Sequence, residues 1–278
     1  MQIPVRAVPM FGPGSQAGDG PDYLSLPTEM AVFRQPDLPQ DPALQAIGRE
    51  WLARLASALE SHGDADSAAP IDLAAAGPEV RRFLDEVLGH GEVSAAVIGD
   101  AGLQIEESVF PGLWRVRGAA ASGAVDRLEV ADIPQALVRR ARAGAGALDL
   151  PQRDAIPAGV VNAPHVLAEL IARSRAFDAD GEGHVINLDL VPMDEAELGW
   201  LVETLGEGPV VIVSSGYGAC RIRSTRLASA WWVQYFNSSD VLILNSLEIA
   251  AVPPVACAAD DDIAESARRL RALQSVYA

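Results

Sequence analysis

The sequence contains no lysine: its cations are all arginines, and 21 of them face 38 aspartates and glutamates for a formal charge of −17. That balance repels nucleic-acid phosphates, and no basic stripe reverses it locally, which excludes nucleic acid as a partner. Two cysteines, Cys220 and Cys257, are too few for a disulfide framework, a structural zinc site or a self-contained iron–sulfur cluster, each of which takes about four ligands. None of His62, His90, His165 and His184 falls at ligand spacing with either cysteine, so no intrinsic metal or cofactor is expected. No run approaches the roughly 18 to 20 apolar residues of a membrane-spanning helix, and "MQIPVRAVPMFGPGSQ" lacks the apolar centre of a signal peptide. The expectation is a cytoplasmic chain without direct membrane insertion. What is present is a 49% hydrophobic composition over 278 residues, enough for the core of one large domain or two ordinary ones.

Residues 1–45, rich in Pro, Gly, Asp and Ser without an apolar period, read as an extended, partly disordered arm. Beyond it the chain carries a diverged tandem repeat. "IDLAAAGPEVRRFLDEVLGHGEVSAAVIGDAGLQIEESVFPGLWRV" from Ile71 runs in register, without a gap, with "LDLVPMDEAELGWLVETLGEGPVVIVSSGYGACRIRSTRLASAWWV" from Leu188. Gly99, Ile105, Trp114 and Val116 face Gly216, Ile222, Trp231 and Val233; after a two-residue insertion in the second copy, "LEVADIP" answers "LEIAAVP". "ESVFPGLW" has no match in the second copy, which has "STRLASAW" there.

Each copy reads as two helices followed by short strands. Helical spacing of apolar residues predicts helices over 46–61 and 78–88, and over 164–176 and 195–205. Gly77 and Asp194 are acceptable N-caps, and Asp194 with Glu197 has the spacing of a capping box. Alternating patterns predict strands at 92–98, 103–107, 113–118 and 127–131, mirrored at 209–214, 220–225, 230–236 and 241–249. The tail "DDDIAESARRLRALQSVYA" is a helix with acids first and arginines later, as the helix dipole favours. The fold class is α+β: a tandem pseudo-repeat of two helix-plus-antiparallel-sheet modules, 46–150 and 151–278, with the arm before and the C-terminal helix in the second module.

"GYGACRIRST" (216–225) holds the residues that look most reactive. A phosphate loop needs a helix after its glycines, whereas "CRIRST" reads as a strand, which leaves a turn. Strand alternation puts Cys220, Ile222 and Ser224 on one face and Arg221 and Arg223 on the other. Ile222 answers Ile105 of the first copy, which makes the cysteine face the core face and Cys220 a small apolar residue rather than a nucleophile. In "WWVQYF", Trp231 and Val233 repeat Trp114 and Val116, while the other face exchanges Arg115 and Arg117 for Trp232 and Gln234. Trp232 either packs between the modules or under the C-terminal helix, or is an exposed anchor beside Arg221 and Arg223, the residue types that dominate interface hot spots. Phe110, beside the Pro111-Gly112 turn, either plugs a core gap or is a second exposed contact.

The stretch "GPVVIVSSGYGACRIRSTRLASAWWVQYFNSSDVLILNSLEIAAVPPVACAADDDIAESARRL", with "GPGSQ", "LGHGEVSA" and "ESVFPGLWRVR", resembles the HupH/HyaF hydrogenase expression proteins. Ser215 departs from that pattern, where members often carry a basic residue before the Gly-Tyr-Gly turn. The resemblance implies a non-enzymatic maturation chaperone for NiFe hydrogenase. Its partner would be the immature small subunit, which bears iron–sulfur clusters and a twin-arginine export signal, with a second maturation chaperone as a further candidate partner. The partner surface expected from the residues is Trp232, Arg221, Arg223 and Gln234, with Tyr217 at the turn and Phe110 as an outlier. Two rivals stand beside it: a thiol enzyme or transient iron carrier using Cys220 and Cys257, and a structural subunit retained in the hydrogenase complex.

Overall fold

The computed structural model describes residues 42–63, 69–99, 102–120, 123–178, 181–215 and 219–276. The first repeat runs α1 (Pro42–Glu60), β1 (Ile71–Asp72), α2 (Pro78–Leu88), β2 (Val93–Val97), β3 (Leu103–Glu107), β4 (Leu113–Ala120) and β5 (Gly123–Val130). A helix not foreseen in the sequence, α3 (Gln135–Ala143), follows. The second repeat runs α4 (Ala163–Ala176), β6 (His184–Asn187), α5 (Glu195–Leu205), β7 (Glu207–Ser214), β8 (Ala219–Thr225), β9 (Ala230–Phe236) and β10 (Leu242–Ile249), and α6 (Asp260–Val276) ends the described chain. Of the expected arm, 1–41 lie outside the described residues, while 42–45 already belong to α1.

The fold is α+β, and its two repeats share one topology. In the first the antiparallel strand order is β1-β5-β4-β3-β2; in the second it is β6-β10-β9-β8-β7. The likeness extends to individual hydrogen bonds. Trp114 Nε1 donates to the Ala131 carbonyl at 2.8 Å, and Trp231 Nε1 donates to that of Ala250 at 3.1 Å. The Val109 N–H meets the Leu88 carbonyl, and the Arg226 N–H meets that of Leu205.

One expectation about the repeat is extended and one is corrected. "ESVFPGLW" does have a counterpart, because geometry persists where identity does not. Ser108 Oγ accepts from the Phe110 N–H just as Thr225 Oγ1 accepts from the Leu227 N–H, Phe110 and Leu227 are both buried, and Gly112 (φ +81°) answers Ser229 (φ +57°). A hydroxyl, a large apolar side chain and a left-handed residue are enough to rebuild the turn. The alignment is also not gapless. Ile71 pairs with Leu128 and Ile186 with Leu247, so Ile71 corresponds to Ile186 and not to Leu188. The Asx turns agree, with Asp72 Oδ1 accepting from the Ala74 N–H and Asn187 Oδ1 from the Asp189 N–H. Two extra residues therefore sit between β6 and α5.

The chain divides into two compact units, whose described parts are 42–135 with 257–276, and 136–256. The C-terminal helix was expected with the second repeat; it belongs to the first unit. Its apolar stripe of Ile263, Ala267, Leu270 and Leu273 joins a cluster with Leu52, Leu55, Phe83, Leu84, Leu113 and Leu128. Each fully buried leucine there contributes about 2 kcal/mol. Arg271 ties α6 to α1 through Glu60 and Ser57. Gly48 explains itself in this packing, since a Cβ there would lie 2.7 Å from the Phe83 ring.

The second unit has its own cluster, in which Val166, Leu167 and Leu170 of α4 and Leu201 and Leu205 of α5 cover Trp232, Leu247 and Ile249 of the sheet. Asp194 caps α5 as expected, its Oδ1 accepting from the Glu197 N–H at 2.9 Å. Glu197 goes further and holds the start of α4, accepting from the N–H groups of Val161 (2.7 Å), Asn162 and Ala163 (3.2 Å). Burial opposes its charge, yet the surrounding amides outweigh burial and hold this carboxyl below the usual range.

Candidate functional site

The register of β8 and β9 sets Arg221 opposite Gln234 and Arg223 opposite Trp232, so these four side chains do share a face, as alternation requires. That face is not open. Trp232 is 2% exposed and its indole N–H donates to Asn245 Oδ1 at 2.6 Å; Gln234 is buried as well. The exposed-anchor alternative for Trp232 is thereby corrected: α4 and α5 roof the strand, and a large aromatic fills the space beneath them. Phe110, 1% exposed, is likewise a core plug, with the Arg269 guanidinium over its ring at 4.8 Å.

What remains on this face is two half-buried arginines. The Arg221 guanidinium stacks on the half-buried Phe236 ring at 4.6 Å, and Arg223 reaches Glu207 Oε1 at 3.3 Å. Tyr217 and the glycine turn around it, 216–218, lie outside the described residues.

The thiols sit in settings that disfavour thiolate. Cys220 is buried directly opposite Tyr235; burial pushes it up to about 12, with Glu248 adding to the rise and a hydrogen bond from Tyr235 opposing it. Burial likewise lifts the Tyr235 hydroxyl to about 12, with Cys220 and Glu248 contributing, and it raises the Glu248 carboxyl. Cys257 is half-buried and also pushed to about 12, by burial and then by Asp132 and Glu107. His184, the nearest candidate base by sequence, bonds Glu169 at 2.7 Å instead. Against an ordinary thiol near 9, thiolate at Cys220 is scarcer by about a thousand-fold. Native protein treated with iodoacetamide at pH 7.5 should therefore leave Cys220 unlabelled by mass spectrometry, with full labelling in urea; fast native labelling would restore the nucleophile. Among the described residues no group of three or more His, Cys, Asp or Glu is placed to hold a metal ion. No described helix is long and apolar enough to cross a membrane.

Sequence reasoning missed a second feature, a cavity of about 180 Å³ at the end of α2 in the first unit, lined by charged side chains that include Arg115 and Arg117. The signal was the exchange of these two arginines for Trp232 and Gln234 between the repeats.

The family model described as "HupH hydrogenase expression protein, C-terminal conserved region" matches residues 46–145 and 160–277. The two matched stretches coincide with the two structural repeats. The chain is similar to "Hydrogenase expression/formation protein HupQ" of Azotobacter chroococcum mcd 1, with 43% identity over 273 residues, 96% of this chain and 95% of that one. It is similar to "Hydrogenase-1 operon protein HyaF" of Escherichia coli (strain K12), with 30% identity over 274 residues, 94% of this chain and 93% of that one. Among solved structures, "Hydrogenase expression protein HupH from Thiobacillus denitrificans ATCC 25259" is 27% identical over 41% of this chain and 95% of that one, with a TM-score of 0.38.

Proposed function

The chain belongs to the HupH family of hydrogenase expression and formation proteins, and from that membership we propose that it is a maturation chaperone which binds the immature small subunit of a NiFe hydrogenase before its cofactors are complete and before twin-arginine export. The observation that carries this reading is the extent of the match, which spans both repeats and nearly the whole length of the relatives. A binding role rather than turnover is supported by the two cysteines, both held protonated at neutral pH. The acidic surface steers an arginine-bearing precursor toward the chain at long range.

The proposed contact surface is narrower than the sequence suggested. It comprises Arg221 and Arg223, with Phe236 beneath Arg221, while Trp232, Gln234 and Phe110 hold the fold. Arg221→Gln with Arg223→Gln removes both charges without setting a carboxylate beside Glu207, and urea unfolding checks that the double variant stays folded. In cells blocked in export, tagged wild-type chain should retain the small-subunit precursor, and the double variant should retain roughly ten-fold less. Wild-type chain that captures no precursor would overturn the chaperone reading; an undiminished double variant would overturn the surface alone.

A further inference from the structure

We propose that the cavity at the end of α2 is a binding site for a guanidinium group, that of an arginine side chain presented by another polypeptide. Asp85, Gly89, His90, Glu106, Arg115 and Arg117 line it.

The internal repeat shows that the fold does not need this cavity. At the positions of Asp85, Arg115, Arg117 and Asp126 the second repeat has Val202, Trp232, Gln234 and Asn245. There the Trp232 indole fills the space and bonds Asn245. The first repeat keeps instead an arginine whose side chain is only 9% exposed. Arg115 is gripped by both oxygens of Asp126, at 2.6 and 3.0 Å, and by Asp85 at 3.2 Å. A buried ion pair of this kind commonly adds little over a packed apolar replacement, and an unfilled cavity beside it is a further cost. The same chain contains the packed replacement and does not use it here, which is the pattern of a functional site.

The sign of the ligand follows from the charges. Two arginines, Arg115 and Arg117, share three carboxylates, Asp85, Asp126 and Glu106, at the carbonyl end of α2, whose dipole is negative. The excess is negative. Arg117, with 39% of its side chain exposed, shows the geometry that is accepted: one nitrogen bonds Asp85 Oδ1 while another stands 3.8 Å from Glu106 Oε2. The chain's own guanidinium thus spans the two carboxylates but closes on only one. His90 also stays long, 3.5 Å from Glu106. An incoming guanidinium, whose coplanar donors suit two carboxylates at once, takes Glu106 and the second oxygen of Asp85 as Arg117 turns to solvent. This inference does not depend on which protein presents the arginine.

The test is an NMR titration of the full chain with N-acetyl-arginine methylamide, using the uncharged citrulline analogue as control. Saturable shifts at the amides of Gly89, His90 and Gly91 are expected, at about 1–10 mM for so small a probe. Glu106→Gln should weaken binding roughly five-fold, and Arg117→Ala should tighten it roughly three-fold by removing the internal competitor. Asp85→Val with Arg115→Trp and Asp126→Asn, copied from the second repeat, should abolish it. An equal response to citrulline, unchanged binding in Glu106→Gln, or weaker binding in Arg117→Ala would each overturn the assignment. Should the triple variant not fold, the two single variants, at partly exposed side chains, still decide.

Discussion

Trp232→Ala is expected to cost about 3–5 kcal/mol, the range for a large aromatic removed from a closed core. Leu201, Leu205 and Leu247 share its cluster, and its indole N–H is bonded to Asn245. Truncation leaves a cavity and an unpaired amide oxygen at once. A domain whose whole stability is about 5–15 kcal/mol loses a large fraction of it, so loss of partner capture in this variant would report unfolding and not a lost contact. Trp232→Phe separates the two parts. It keeps most of the packing and forfeits the hydrogen bond, for a loss nearer 1–2 kcal/mol, roughly that of one bond to a buried group. Urea unfolding of the three proteins checks the order; an alanine variant as stable as wild type would return Trp232 to the surface.

Glu107→Gln should stabilise the protein, by an amount that grows with pH. Glu107 is buried, and it accepts from the Gly112 N–H at 3.2 Å. Burial pushes its carboxyl from 4.5 up to about 7; the Gly112 bond opposes this, while Glu92 and Asp262 add to it. Because the folded value lies above the unfolded one, the folded state holds the extra proton between 4.5 and 7. Stability therefore falls as pH rises through that window and is level above it, a loss of about 3 kcal/mol. Glutamine keeps the acceptor for Gly112 and has no charge to bury. Variant and wild type should match near pH 4.5 and diverge by about 3 kcal/mol at pH 8. Parallel curves of urea midpoint against pH would sink the account.

The internal repeat was legible in the sequence wherever a residue type is demanded locally. Leu88-Gly89 and Leu205-Gly206 end helices, and both glycines adopt positive φ. Trp114 and Trp231 keep one hydrogen bond in two places. It was illegible where several residue types satisfy one geometry, as in the turns of Ser108 and Thr225. The edge strands β1 and β6 were missed because two to four residues carry too little alternation to register.

The site was legible only in part. Cys220 could be assigned inward because Ile105 and Ile222 agree across the repeats, and it is buried. Trp232 could not be assigned, because its counterpart is an arginine that is itself buried.

The sequence by itself determined most of the helices and longer strands, the existence of the repeat and the partition of those strands into two faces, since helical and strand periods and turn chemistry act over a few residues. Only the tertiary structure decided which faces are covered and by what. An amphipathic helix does not name its partner, so α6 could be seen as a helix but not as one that returns to α1. Nor could alternation show that α4 and α5 close over Trp232 while the equivalent region of the first repeat keeps a cavity lined by Arg115 and Arg117. Burial is a property of the assembled layers, and the charge of one cavity emerges from residues brought together from α2, β3, β4 and β5.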